Sequence, residues 1–143
     1  MSDVSVTAAS VVASANAVIE TVVLGGTVTA GQPVYINSSG VALAADANGT
    51  NTWSVYGIAL NGGGSGQSIR VAREDSDFTP GFTLSLSGSG DDGVYVLSTT
   101  AGGIAPVTDL AAGAYPVILM VAKSTSKAYL KIVGGRADAG VLV

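Results

Sequence analysis

Apolar and polar residues alternate with period two along most of the chain, in short runs separated by clusters of Gly, Ser and Asn. Val4, Val6 and Ala8 alternate with Asp3, Ser5 and Thr7, which predicts an extended opening stretch. Thr27–Thr29 precedes the turn Ala30-Gly31-Gln32, and Pro33–Ile36 resumes as a strand. Asn37-Ser38-Ser39-Gly40 then turns the chain into Val41–Leu43. Further strands are predicted at Trp53–Leu60, Gln67–Ala72, Phe82–Leu86, Val94–Ser98, Val117–Ala122 and Ala128–Val133, with a glycine loop at Asn61–Gly66. Helix signals are sparse: Val11–Ile19, Ala44–Asn48 and Thr108–Ala112 each allow a turn or two, without the sustained period of about 3.6 residues that a packed helix needs. The pattern predicts an all-β fold, a compact antiparallel β-barrel or sandwich with an extended N-terminal arm over residues 1–24 and a single β domain over 25–143.

Within that pattern the chain echoes itself. Val34-Tyr35-Ile36, Gly40-Val41-Ala42, Tyr56-Gly57-Ile58 and Ser68–Val71 are followed in the same order by Val94-Tyr95-Val96, Gly103-Ile104-Ala105, Tyr115-Pro116-Val117 and Tyr129–Ile132. Two similar four-strand halves would produce this, and so would chance recurrence of short words in a biased composition.

Composition narrows the chemistry. The 143 residues include no Cys and no His, which removes Cys or His metal sites, disulfide frameworks and every Ser-His or Cys-His catalytic pair. Apolar residues make up 48% and charged residues only 11%, the opposite of a disordered chain. A folded chain of 14.0 kDa exposes about 6,700 Å². With 6 basic and 10 acidic residues to cover that area, the surface must be rich in Ser, Thr, Asn, Gly and exposed Ala or Val, and such a surface favours contact with other proteins. The basic residues are interleaved with acids, so no nucleic-acid stripe forms. Met1-Ser2-Asp3-Val4 lacks the basic start of a signal peptide, and Pro116–Ala122 is too short to span a bilayer, so synthesis in the cytoplasm without a membrane partner is expected.

Few motifs remain that could carry chemistry. Asn61–Gly66 has Gln67 where a phosphate loop needs Lys and leads into a strand rather than a helix, so it reads as a flexible hairpin loop. Ser124-Thr125-Ser126-Lys127 has the spacing of acyl-serine enzymes but lies in a polar turn without the companion elements. Asp75 and Asp77, with Glu74, and the pair Asp91 and Asp92 are the candidate calcium ligands, set against the ordinary enrichment of acids in solvated loops. Asn37-Ser38-Ser39 and Asn48-Gly49-Thr50 fit the glycosylation pattern and read as turn residues. Trp53, just after a polar stretch, is the candidate contact anchor.

Thr29-Ala30-Gly31-Gln32-Pro33-Val34-Tyr35, Gly57-Ile58-Ala59-Leu60-Asn61-Gly62, Gly66-Gln67-Ser68-Ile69 and Val94-Tyr95-Val96-Leu97-Ser98, with Ala101–Pro106 and Asp109, resemble the capsid decoration (cement) proteins of tailed bacteriophages. The resemblance spans about residues 20 to 133. It implies a β-rich, commonly trimeric virion subunit on the outside of the shell, binding the major capsid protein and itself, without cofactor or catalytic residues. The contact candidates on this reading are Val4, Val6, Val11 and Val12 of the arm, adding to a neighbour's sheet edge, together with Trp53 and the loop Asn61, Gly62, Gly63 and Gly64. Deleting residues 1–20 is then expected to weaken assembly and leave the fold intact. A receptor- or glycan-binding module of a head fibre or tail is the alternative, and it would need an aromatic platform or an acidic metal site.

Overall fold

The computed structural model describes residues 3–49, 51–86, 93–109 and 114–134. Ten strands fill them: β1 (Val11–Val12), β2 (Val18–Val23), β3 (Pro33–Ile36), β4 (Ala42–Ala44), β5 (Val55–Ala59), β6 (Ser68–Pro80), β7 (Val94–Leu97), β8 (Ile104–Pro106), β9 (Val117–Ala122) and β10 (Ala128–Gly134). Among the described residues there is no α-helix, only 3-10 turns at Ala8–Ser10 and Val107–Asp109. The strands pair antiparallel in one curled sheet, so the chain is all-β as the alternation predicts.

The strand order β4-β3-β5-β6-β10-β9-β7-β8 is a palindrome in topology. β3 pairs with β4 and β5, and β5 with β6; likewise β7 pairs with β8 and β9, and β9 with β10. The two four-strand halves are therefore present, but their register differs from the sequence echo. The bulge of β3 falls between Val34 and Tyr35, opposite Gly57 and Val55; that of β7 falls between Tyr95 and Val96, opposite Met120 and Ile118. Tyr95 thus takes the place of Val34, not of Tyr35. A slip of one residue exchanges the two faces of a strand, so words that match by eye do not match in space.

β5 and β6 form the partition between two cores. Ile58 and Ala72 face each other and belong to the larger core, with Phe78, Tyr95, Leu97, Leu119, Met120 and Leu130. The next pair along, Ala59 and Val71, points the other way into a smaller core with Leu24, Val28, Val34 and Ile69. Burial on both faces explains why the run Tyr56–Ala59 loses the alternation of a half-exposed strand. Each large side chain buried this way contributes about 1.5–3 kcal/mol.

The N-terminal stretch is extended, as expected, and it is bound within its own chain. Val4 N–H donates to Ile104 O at 2.8 Å, Thr7 N–H donates to Gly81 O at 2.8 Å, and β1 pairs with Thr79 and Pro80. β2 then follows β6 from Glu74 to Ser68, and Leu24 bridges to Ala42 of β4. Glu74 pairs with Val18 on one side and Lys131 on the other, so β1 and β2 line one edge of β6 while β5 and β10 share the opposite edge. One segment thereby links β6 to the outer strand of each half. Ser98 Oγ, donating to Asp3 Oδ1 at 2.5 Å, and Ser14, donating to Asp75, tie it down.

Glycines seat this segment. Gly81 sits at φ +84°, and a Cβ there would lie 2.7 Å from Thr7 O and 3.0 Å from Val11 Cγ2. Gly40 has a similar φ of +81° with open space around it. Gly40→Ala should therefore cost only the left-handed conformation, about 1–2 kcal/mol. Gly81→Ala should cost more, because it also displaces the segment. Urea midpoints of the two variants measure the difference, and equal midpoints would show that the contact carries no stability.

Four local expectations are revised. The acidic stretch Arg73–Asp77 is not a loop but the middle of β6, whose 13 residues run well past Ala72. Phe82–Leu86 is not a strand; Phe82 leaves β6 and packs edge-on against Tyr95, ring centroids 5.1 Å apart. Val11–Ile19 contains β1 and the start of β2, each paired with β6, joined by an unpaired stretch over 13–17 that turns once. Thr27–Thr29 is reduced to one bridge, Val28 to Gly63.

Candidate functional site

The acids proposed for calcium have other duties. Asp75 is fully buried on β6 and accepts bonds from Ser14 N–H at 2.7 Å, Asp77 N–H at 3.0 Å and the Ser14 hydroxyl. Burial, the largest single influence, pushes its carboxyl up; the Ser14 side-chain and backbone bonds, the Asp77 bond and the Lys127 charge together bring it below the ordinary carboxylate range. Asp77 pairs with Lys123 at 3.3 Å on the surface. Among the described residues no group of three or more acids converges, and Asp91 and Asp92 lie outside them. Asp75 is thus the lock on the β1–β2 segment.

The Ser-x-x-Lys spacing forms a turn. Ser124 Oγ accepts from the backbone N–H groups of Ser126 and Lys127, and Lys127 Nζ reaches Thr79 Oγ1 at 2.7 Å. The glycine loop is held rather than free. Gly63 and Val28 exchange two backbone bonds of 2.9 and 3.0 Å, Gly66 N–H donates to Leu24 O at 2.7 Å, and Gln67 Oε1 accepts from Gly64 N–H at 2.6 Å. Asn61 Oδ1 accepts from Arg70 N–H at 2.9 Å. These bonds consume the donors that an anion would need at Gly63, Gly64 and Gly66.

The contact candidates divide. Val11 is buried, and Val4 and Val6 are half-buried against the larger core. Val12 is 55% exposed. Trp53 is half-buried and stacks on Tyr115, centroids 5.5 Å apart and planes 22° from parallel, so much of its ring already has an intramolecular partner.

The exposed apolar side chains lie elsewhere. On β2, Val18, Ile19 and Val23 are exposed; on β9 and β10, Val121, Tyr129 and Val133 are exposed, with Tyr129 directly opposite Val121. Tyr129, Lys131 and Val133 alternate outward along β10 while Leu130 is buried. Val121, Tyr129 and Val133 form an apolar strip across β9 and β10, interrupted by Lys131, whereas on β2 Ile19 and Val23 alternate against Val18, so its exposed apolar side chains lie on both faces. The alternation of Tyr129, Lys131 and Val133 was visible in the sequence, but their outward direction depends on which face meets the core. The strip offers no acid–base or nucleophile pairing; its physical capacity is association.

No protein-family model matches the chain, and no curated protein is similar to it.

Proposed function

We propose that the protein is a structural virion component that binds the outside of a bacteriophage capsid, as a homotrimer, and stabilises contacts between major capsid proteins. The observation that carries this reading is the exposed apolar strip of Val121, Tyr129 and Val133 on β9 and β10, on a domain with only 16 formally charged side chains among 143 residues. Contiguous exposed apolar surface marks a face that meets another protein. The curled, doubly cored β domain supplies a support for it. The sequence resemblance to decoration proteins supports the major capsid protein as the partner. Its mechanism is thermodynamic: many copies bind the assembled lattice and not its free subunits, so mass action favours the shell.

The test adds purified protein to expanded, undecorated capsids assembled from the corresponding major capsid protein. Saturable binding and a higher temperature of capsid disruption are expected. A Val121→Glu, Tyr129→Glu variant should lose that binding while its own melting temperature stays near that of the parent. Absence of binding by the parent protein, or unchanged heat resistance of decorated shells, would reject the proposal.

A further inference from the structure

A sheet edge is a row of backbone donors and acceptors, and an open one is a template for another strand. Both terminal strands of this sheet are already engaged. Val4 N–H donates to Ile104 O on the outer edge of β8, and Gly25 N–H donates to Ala42 O at 2.9 Å on the outer edge of β4, beside the Leu24–Ala42 bridge. β2 differs: among the described residues its strand partner over Val18–Val23 is β6 alone.

The ladder fixes which backbone groups of β2 point outward. Leu24 N–H donates to Gln67 O at 2.8 Å, so by the antiparallel alternation Val22 and Glu20 also turn their groups towards β6. Ile19, Thr21 and Val23 turn theirs away. The far side of β6 gives the same alternation. Leu60 N–H donates to Arg70 O at 2.9 Å, so Arg70, opposite Thr21, faces β5 while Ile69 and Val71 face β2. The outward row carries none of the devices that protect an edge. Five of the six residues Val18–Val23 are β-branched, none is Lys, Arg, Pro or Gly, and Val18–Thr21 are all exposed.

We propose that β2 pairs with β2 of a second copy of this chain, antiparallel across a two-fold axis, with Thr21 opposite Thr21. Since β4 and β8 are engaged, a second copy offers no other open edge of this length among its described residues, and the contact is self-complementary. Register follows from the outward row. Only an axis at Thr21 pairs all three outward residues within the strand, Thr21 with Thr21 and Ile19 with Val23 on either side. An axis at Glu20 would set two carboxylates directly opposite each other; the axis at Thr21 sets Glu20 against Val22. The ladder ends at Val23, where Ala42 closes the edge beside Leu24. Five residues a side make a small contact beside the ~1,200–2,000 Å² of a stable interface, so pairing is weak in dilute solution and grows where copies are crowded. The inference does not rest on the capsid reading: the contact doubles whatever unit the other surfaces build.

The experiment follows the mass of the intact chain by sedimentation and small-angle scattering from about 1 µM to about 1 mM. The parent should double in mass across that range. Thr21→Lys sets two ammonium groups opposite each other, flanked by Arg70 of each copy, and should weaken pairing about tenfold or more. Thr21 is exposed, so the melting temperature of that variant should stay near the parent's. Fluorescently labelled Thr21→Lys chain mixed with unlabelled Thr21→Glu chain should pair again. The Val121→Glu, Tyr129→Glu variant leaves β2 untouched and should still double. A parent that does not double up to about 1 mM, or doubling that survives Thr21→Lys, would overturn the proposal. Loss of pairing in Thr21→Lys without rescue in the mixture would overturn the Thr21 register. None of these outcomes depends on capsid binding, so failure here leaves that reading standing.

Discussion

Deleting residues 1–20 should abolish cooperative folding rather than merely weaken assembly. The deletion strips Val4, Val6 and Val11 from the larger core and removes Ser14 from Asp75. It also removes the pairing of β1 and the first part of β2 with β6. The entropy returned by twenty freed residues offsets their own burial, since ordering a residue costs about 1–2 kcal/mol of backbone freedom. What remains uncompensated lies on the rest of the domain. Core side chains beneath the segment meet water, and a buried carboxylate loses two of its three donors, at about 1–3 kcal/mol for each polar group left unsatisfied. Together these losses reach several kcal/mol, against a total stability of about 5–15 kcal/mol for a domain of ordinary size. Urea unfolding followed by circular dichroism should show no sharp transition for the truncated chain. A peptide spanning residues 1–24, added in trans, should restore one. A truncated protein with an unchanged midpoint would show that the segment is an accessory.

That outcome separates what the sequence made legible from what it hid. The strands with a clear alternation or a sharp turn on each side, Pro33–Ile36, Val94–Leu97, Val117–Ala122 and Ala128–Gly134, are readable to within one residue at their ends. β2 is not, because Val18–Val23 follows an Ala-rich stretch and exposes both of its faces in part. Its strand character comes from β6, a partner far away in sequence. The acids of β6 mislead for a related reason. Asp75 and Asp77 look like loop residues until Ser14, between β1 and β2, and Lys123, just after β9, supply their partners. Local composition records solvation; pairing across the sheet decides structure.

The functional surface is legible only in outline. A scarcity of charge and an excess of exposed apolar side chains follow from composition, yet their location requires the inward face of each strand to be known. Val11 and Val12 illustrate it, one buried and its neighbour 55% exposed. The tandem echo shows the same limit from another side. Topology survives in short words such as Val-Tyr, whereas register rests on bulges at Val34/Tyr35 and Tyr95/Val96 that no word announces.

Replacing Asp75 by Asn should cost about 2–4 kcal/mol at neutral pH, since Asp75 accepts three hydrogen bonds as a charged group and an amide nitrogen would face donors with donors. The same residue sets an acid dependence whose sign is fixed by the direction of its shift. Its carboxyl titrates lower in the folded chain than in the unfolded one. The unfolded state therefore binds the proton first as pH falls, and folding loses stability from about pH 4, the ordinary carboxylate value, down through the lower folded value. Above that window the contribution is complete. Subtracting the stability curves of parent and variant removes what the two share and isolates Asp75. The difference should be largest at neutral pH and should shrink as acid protonates the parent's carboxyl. Ser14→Ala should reduce both the neutral-pH gap and its pH slope in part, because it removes the hydroxyl bond to Asp75 while the backbone N–H bond remains. If the Asp75→Asn and parent curves ran parallel from neutral pH into acid, the charge at Asp75 would not be what holds β1 and β2 to β6. The segment would then be held by apolar contact alone, and the deletion would act through Val4, Val6 and Val11.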